Sequence, residues 1–195
     1  MHPIVIPPAI RGLIFDCDGT LADTHPLHQE AWDECLSALG VPTPPHFLDP
    51  YKGVPTPRII EIFNQRFGTR LDPIAVAEDK ERRAMAKLDR SQPVDRVVAV
   101  AHRYKGVLPM AVASGGTREN VLVTLTAIGM ADFFDAVLGA QDAPRGKPHP
   151  DIFLAAAQRL NVAPSLCLVL EDSPLGMEAA AKAGMAAIDV TAAPE

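Results

Sequence analysis

Apolar positions along the chain fall into two rhythms. Short, mostly apolar runs, at Gly12–Phe15, Met110–Ala113, Ala136–Leu138, Leu166–Leu170 and Ala186–Val190, are too short for helices and predict buried strands. Between them apolar residues recur at helical spacing, which predicts helices over Pro93–Tyr104, Arg118–Ile128, Pro150–Leu160 and Leu175–Ala183. Strands that alternate with helices imply an α/β fold, with a parallel sheet covered on both faces.

The stretch from Thr24 to Arg90 breaks this alternation, because no strand signal interrupts it. Leu27, Ala31, Cys35, Leu36 and Leu39 follow Pro26 at helical spacing, with Thr24 placed to cap the helix and Gly40 to stop it. Pro42-Thr43-Pro44-Pro45 is a breaker cluster. Two further helices are predicted, over Pro57–Phe67 and Pro73–Leu88. Residues 24–90 therefore read as a helical cap inserted into a core made of residues 1–23 and 91–195. Hinges are expected near Asp23-Thr24 and Arg90–Pro93, where the insertion begins and ends.

The first apolar run ends in Asp16-Cys17-Asp18-Gly19-Thr20. In an open α/β sheet the carboxyl end of such a strand opens into the ligand crevice. Two carboxylates there are costly to desolvate unless a cation compensates them, and hard oxygen donors suit a divalent one. The chemistry this favours is phosphoryl transfer. Asp16 attacks phosphorus, Asp18 acts as general acid and base, and a metal screens the charge. Gly19 supplies a backbone conformation closed to other residues, and Thr20 offers a hydroxyl to the same turn. Cysteine-based phosphate chemistry does not fit. The positions six residues after Cys17, Cys35 and Cys167 are Asp23, Val41 and Ser173, none of them the required arginine.

Three later features extend the pattern. Ser114 follows the run Pro109–Ala113 and precedes Gly115-Gly116, so it can offer an anion both its hydroxyl and backbone N–H groups. Lys147 stands in Arg145-Gly146-Lys147-Pro148-His149-Pro150-Asp151, and Glu171-Asp172 closes the run Leu166–Leu170. With Asp-x-Asp-Gly-Thr at the front, the four features resemble the four motifs of the haloacid dehalogenase superfamily, in order and in spacing. The resemblance spans nearly the whole chain. It implies a Rossmann-like core with a helical cap after the first strand. It also implies that Lys147 neutralises charge between Asp16 and the phosphoryl group. Mg²⁺ would be held by Asp16, the Asp18 carbonyl and Asp172, with Glu171 beside them. Asp172 is also placed to cap the following helix.

Within the superfamily the chain is similar to the β-phosphoglucomutase-like branch, and there to fructose-1-phosphatase-like members, on the strength of Gly53-Val54-Pro55-Thr56-Pro57-Arg58. Candidate substrate contacts are Thr20, Gly115 and the cap residues His28, Lys52, Arg58 and Lys80. His28 stands five residues after Asp23, as in related sugar-phosphate enzymes. The expected activity is Mg²⁺-dependent hydrolysis of small phosphorylated metabolites, sugar phosphates in particular, through an aspartyl phosphate. The alternatives are a β-phosphoglucomutase interconverting β-glucose 1-phosphate and glucose 6-phosphate, and a catalytically retired binding protein. The mutases that the branch resembles carry an arginine close behind Lys-Gly-Val, where Pro55-Thr56-Pro57 intervenes here, and a polar run after the serine, where Gly115-Gly116-Thr117-Arg118 stands.

Composition narrows the partners. A formal net charge of −6 disfavours nucleic acid and anionic membranes. No apolar run approaches the roughly 20 residues that span a bilayer. Three cysteines without metal spacing and a short proline-punctuated N-terminus point to a reducing cytoplasm. A monomer or weak homodimer is expected, with a small phosphorylated molecule as partner.

Overall fold

The central strand is the first apolar run. β1 (Gly12–Phe15) has all four residues buried and is flanked on both sides, which is why it shows no polar alternation. The structure, a computed structural model, describes residues 4–51 and 53–192. After β1 come a two-residue strand β2 (Ala22–Asp23) and three helices, α1 (His25–Ala38), α2 (Thr56–Phe67) and α3 (Pro73–Met85). The chain returns through β3 (Gln92–Pro93) and α4 (Asp95–Tyr104). It then alternates through β4 (Met110–Ala113), α5 (Arg118–Ala127), β5 (Ala136–Leu138), α6 (Asp151–Leu160), β6 (Cys167–Glu171), α7 (Pro174–Lys182) and β7 (Ala186–Asp189).

The five long strands form one sheet in the order β5-β4-β1-β6-β7, and every pairing is parallel. Alternate residues of β1 serve opposite faces. Leu13 and Phe15 pack with Val97, Val100, Val121 and Leu125 from α4 and α5. Ile14 packs with Phe153, Ala156, Ala179 and Ala180 from α6 and α7. The order reverses between β1 and β6, and this reversal leaves a crevice at the carboxyl ends. Register then aligns those ends. Phe15 stands opposite both Val112 and Leu170, so Asp16, Ser114 and Glu171-Asp172 emerge side by side.

Helices α1 to α3 gather a separate apolar cluster around Trp32, Leu36, Phe47, Ile60 and Phe63. Trp32 is thereby a packing residue. Both connections between this cluster and the sheet pass through one antiparallel ribbon, β2 with β3, where Ala22 pairs Pro93 and Asp23 pairs Gln92. Residues this short and this polar gave no strand pattern, so periodicity did not reveal the ribbon. It also delays α4, which starts at Asp95 rather than Pro93. The third helix ends at Met85 rather than Leu88, and Leu88–Arg90 forms a separate 3₁₀ turn.

Phe63 is 1% exposed at the middle of the cap cluster. Phe63→Ala is expected to cost about 3–5 kcal/mol of cap stability. Native-state hydrogen exchange should accelerate across α1–α3 and stay slow in β1 and β6. Equal acceleration in the sheet would show that cap and sheet unfold as one unit.

Candidate active site

Asp16 is the first residue beyond β1, and its N–H still bonds the Leu170 carbonyl of β6 at 3.0 Å. Its side chain therefore leaves the sheet at a fixed point. Lys147, from the loop after β5, donates to Asp16 Oδ1 and to Glu171 Oε1, each at 2.6 Å. The Lys147 ammonium also lies 4.9 Å from the centre of the Phe153 ring. Glu171 is held from its other oxygen, where Oε2 accepts from the Ser173 N–H at 2.6 Å and its hydroxyl at 2.9 Å. A Cβ on Gly176 would overlap the Glu171 carboxylate, so this close approach requires glycine.

Asp16, Glu171 and Asp172 are all buried and offer carboxylate oxygens within 4.8 Å of one another. Asp172 Oδ2 meets His25 Nε2 at 2.9 Å, and its Oδ1 has a long 3.5 Å contact from Thr20 Oγ1. One ammonium stands among three buried carboxylates. Burial pushes Asp16 well above the ordinary carboxylate range. Lys147 pulls it down, but Glu171, Asp172 and Asp18 add to the rise. Burial works against the charge of Lys147, and Asp16 and Glu171 outweigh it, so the ammonium titrates above its ordinary value. The oxygen-only donor set and the uncompensated charge fit a hard divalent cation.

Asp18 is set apart from this cluster. The chain reverses tightly after it: Gly19 has φ +82° and donates to the Ala22 carbonyl, while Thr20, Leu21 and Ala22 all donate to Cys17. Asp18 Oδ1 accepts from Thr24 Oγ1 at 2.8 Å and Oδ2 from Ser114 Oγ at 3.2 Å. His28 Nε2 lies 3.6 Å from Oδ1. Burial alone would raise the Asp18 pKa, but His28, Thr24 and Ser114 together hold it well below the usual range. Behind His28, Lys80 is buried and donates to His28 Nδ1 at 3.0 Å and to Glu81 at 2.9 Å. Since Nδ1 accepts from an ammonium, the imidazole proton sits on Nε2, toward Asp18.

The structure thus brings together Asp16, Asp18, Thr20, His28, Lys80, Ser114, Lys147, Glu171 and Asp172. Gly115 lies exposed in the turn just beyond Ser114, whose hydroxyl accepts from the Gly116 N–H at 2.9 Å. Arg58 is not brought in: it is exposed on α2 and paired with Glu61 at 2.6 Å. Lys52 lies outside the described residues. Among the metal candidates, the Asp18 carboxylate faces Thr24 and Ser114 rather than the acidic cluster, which leaves only its backbone carbonyl for such a role. Two capping expectations are corrected. Thr24 occupies the cap position of α1 but makes no side-chain cap bond, because its hydroxyl goes to Asp18. Ser173, not Asp172, caps α7, accepting from the Gly176 N–H. His25 was not foreseen at all. No spacing argument marks a histidine whose partner lies 147 residues away. The cysteines are free and buried; burial, with Asp18 and Asp16 alongside, pushes Cys17 up, and burial pushes Cys35 and Cys167 up to about 11.

The family described as haloacid dehalogenase-like hydrolase matches residues 10–184 of the chain. The chain is 39% identical over 180 residues to the fructose-1-phosphate phosphatase YqaB of Escherichia coli, covering 92% of this chain and 95% of that protein. It is 31% identical to the validoxylamine A 7′-phosphate phosphatase of Streptomyces hygroscopicus subsp. limoneus, over 91% of this chain and 84% of that one. Among solved structures, β-phosphoglucomutase from Clostridium difficile superposes with a TM-score of 0.77 at 27% identity, over 91% of this chain and 83% of that one.

Lys147→Met removes the ammonium that Asp16 and Glu171 share and is expected to cost about 3–5 kcal/mol. Without the ammonium, Asp16 titrates higher still. A raised folded pKa stabilises only while the carboxyl is protonated, so its contribution is full below the unfolded value of about 4 and is lost as pH rises. The melting-temperature deficit of the variant, measured in chelator, should be smallest near pH 4–5 and grow toward pH 8. A deficit that does not change with pH would show that Lys147 is not what keeps these acids charged.

Proposed function

The chain belongs to the haloacid dehalogenase-like hydrolases, and from that membership we propose that it is a Mg²⁺-dependent phosphatase of small phosphorylated metabolites, sugar phosphates above all. The observation that carries this reading is the charge imbalance at the strand ends: three buried carboxylates around one lysine, with a fourth, Asp18, held just outside them. Asp16, Asp172 and the Asp18 carbonyl would hold the cation, with Glu171 beside them. Bound there, Mg²⁺ supplies charge neutralisation for the carboxylates and the incoming phosphoryl oxygens.

In this reading Asp16 attacks phosphorus and the sugar oxygen departs, leaving an aspartyl phosphate that water then hydrolyses. Lys147 keeps Asp16 oriented and offsets its charge. Asp18 would take up a proton once the negatively charged substrate lies beside it, pass that proton to the leaving oxygen, and later take one from water. The hydrogen bonds from Thr24 and Ser114 fix its two oxygens, and His28, braced by Lys80, fills the third side. The turn Ser114–Gly116 would meet phosphoryl oxygens, the Ser114 hydroxyl turning to them from Asp18, while the Gly116 N–H holds Ser114 Oγ and Thr20 contacts Asp172. The helical cap covers the crevice and excludes water during attack. Names of the relatives favour sugar-type phosphate esters as substrates.

A mutase must hold a second phosphate on the cap side. The structural likeness to a β-phosphoglucomutase keeps that reading in view, but Arg58 faces Glu61, and the Arg118 guanidinium pairs with Asp142. Hydrolysis is therefore the favoured outcome. A retired binding protein would not be expected to keep the acids and the lysine assembled.

Phosphate release from a panel of sugar phosphates should require Mg²⁺ and stop in chelator. Isomer formed faster than free phosphate in the presence of glucose 1,6-bisphosphate would replace this reading with the mutase one. Asp16→Asn should abolish turnover with the fold retained; normal turnover would overturn the nucleophile assignment. Asp18→Asn should lower kcat by about 10²–10⁴ for sugar phosphates and by much less for p-nitrophenyl phosphate, whose leaving group needs no proton. Equal losses on both would remove Asp18 as the general acid.

A further inference from the structure

Among the described residues, no lysine or arginine pairs with the buried carboxylate of Asp172. Lys147 serves Asp16 and Glu171, and among the described residues Asp172 meets Thr20 in a 3.5 Å contact and His25 in a 2.9 Å one. The Asp172 side chain is 4% exposed, so the rotation of its carboxylate is set by these two groups rather than by water. A carboxylate can only accept, so His25 Nε2 carries the proton in this contact.

The two partners come from different parts of the molecule. Asp172 follows β6 in the sheet, whereas His25 is the first residue of α1 and directly follows the β2–β3 ribbon and Thr24. They meet over Gly19. A Cβ there would overlap both Asp172 Oδ2 and His25 Nε2, so the contact exists because the turn after Asp18 presents a bare Cα. Pro26 stiffens the start of α1 behind His25. Any rotation of the cap about the ribbon moves α1, and with it the donor on Asp172.

We propose that His25 is a positioning residue through which the cap orients Asp172, so that cap position and divalent-cation affinity are coupled. The inference rests on the cation reading given above. Oδ2 is taken by the imidazole, and the carboxylate presents Oδ1 in a fixed direction. Hydrogen-bond partners behind a metal ligand act in this way, and their loss weakens metal binding about 10- to 100-fold. Coupling is reciprocal: if the lowered cap favours the cation, the cation favours the lowered cap to the same extent.

The experiment uses Mn²⁺ as probe, with the full chain and no substrate. Binding is followed by Mn²⁺ electron paramagnetic resonance and calorimetry, alongside hydrogen exchange. His25→Phe keeps a ring but removes the donor, and should bind Mn²⁺ about 10- to 100-fold more weakly. His25→Gln keeps an N–H donor and should recover most of that loss. In the unsubstituted chain Mn²⁺ should slow hydrogen exchange across residues 21–28 and 90–94, and in His25→Phe it should not. Affinities within twofold for the parent and the Phe variant, a Gln variant as weak as Phe, or no Mn²⁺ effect on exchange in the parent would each overturn the coupling. A parent chain that takes up no Mn²⁺ would instead overturn the cation reading itself.

Discussion

One ammonium against three carboxylates is the constraint around which the site is arranged. Lys147 neutralises part of the charge of Asp16 and Glu171, and Phe153 supports it from below. What remains is a buried excess of negative charge, met among the described residues by the His25 imidazole at Asp172. Such an excess costs stability in a low-dielectric interior unless a cation or a proton joins it. Asp16 responds by titrating high. The instability and the chemical use are two views of one arrangement. The same deficit that favours a proton on Asp16 favours a divalent cation, and the same carboxylate, once its charge is screened, can approach a phosphoryl group.

The two aspartates of the first motif stand two residues apart yet meet opposite surroundings. Asp16 lies in the carboxylate cluster and titrates high; Asp18 accepts from Thr24 and Ser114 and titrates low. Gly19 makes the difference possible by turning the chain at positive φ, so that the second carboxylate faces the cap. Without cation or substrate these directions oppose the proposed tasks: a bound cation would lower Asp16 toward the charged form that a nucleophile needs, and a negatively charged phosphoryl group would raise Asp18 toward the protonated form that a general acid needs. Two of the three groups that face Asp18 come from the start of the cap: Thr24 precedes α1 and His28 lies one turn into it, with Lys80 of α3 behind His28, while Ser114 comes from the sheet.

Much of this was legible in the chain. The strands could be read because a sheet covered on both faces favours continuous apolar runs, and the carboxyl ends at the site could be read because three of those runs stop at Asp16, Ser114 and Glu171. Asp16, Ser114 and Asp172 were thereby located before any geometry. The β2–β3 ribbon was not legible, since two-residue strands carry no period. Nor was the role of Thr24, because a threonine before a helix reads as a cap until its hydroxyl is seen on Asp18. Arg58 shows the converse. Its place in the cap suggested a substrate contact, but Glu61, one turn along α2, takes its guanidinium.

The sequence by itself determined the order of strands and helices, the residue types at the strand ends, and membership of a hydrolase family, because periodicity and motif spacing are local properties. Tertiary structure decided which of those residues share a charge, which face of each aspartate is satisfied, and that His25 and Asp172 touch. Several of those contacts join positions far apart in the chain, 131 residues for Lys147 with Asp16 and 147 for His25 with Asp172. They are set by strand register and by how the cap seats on the ribbon, and packing of that kind leaves no periodic trace in the chain.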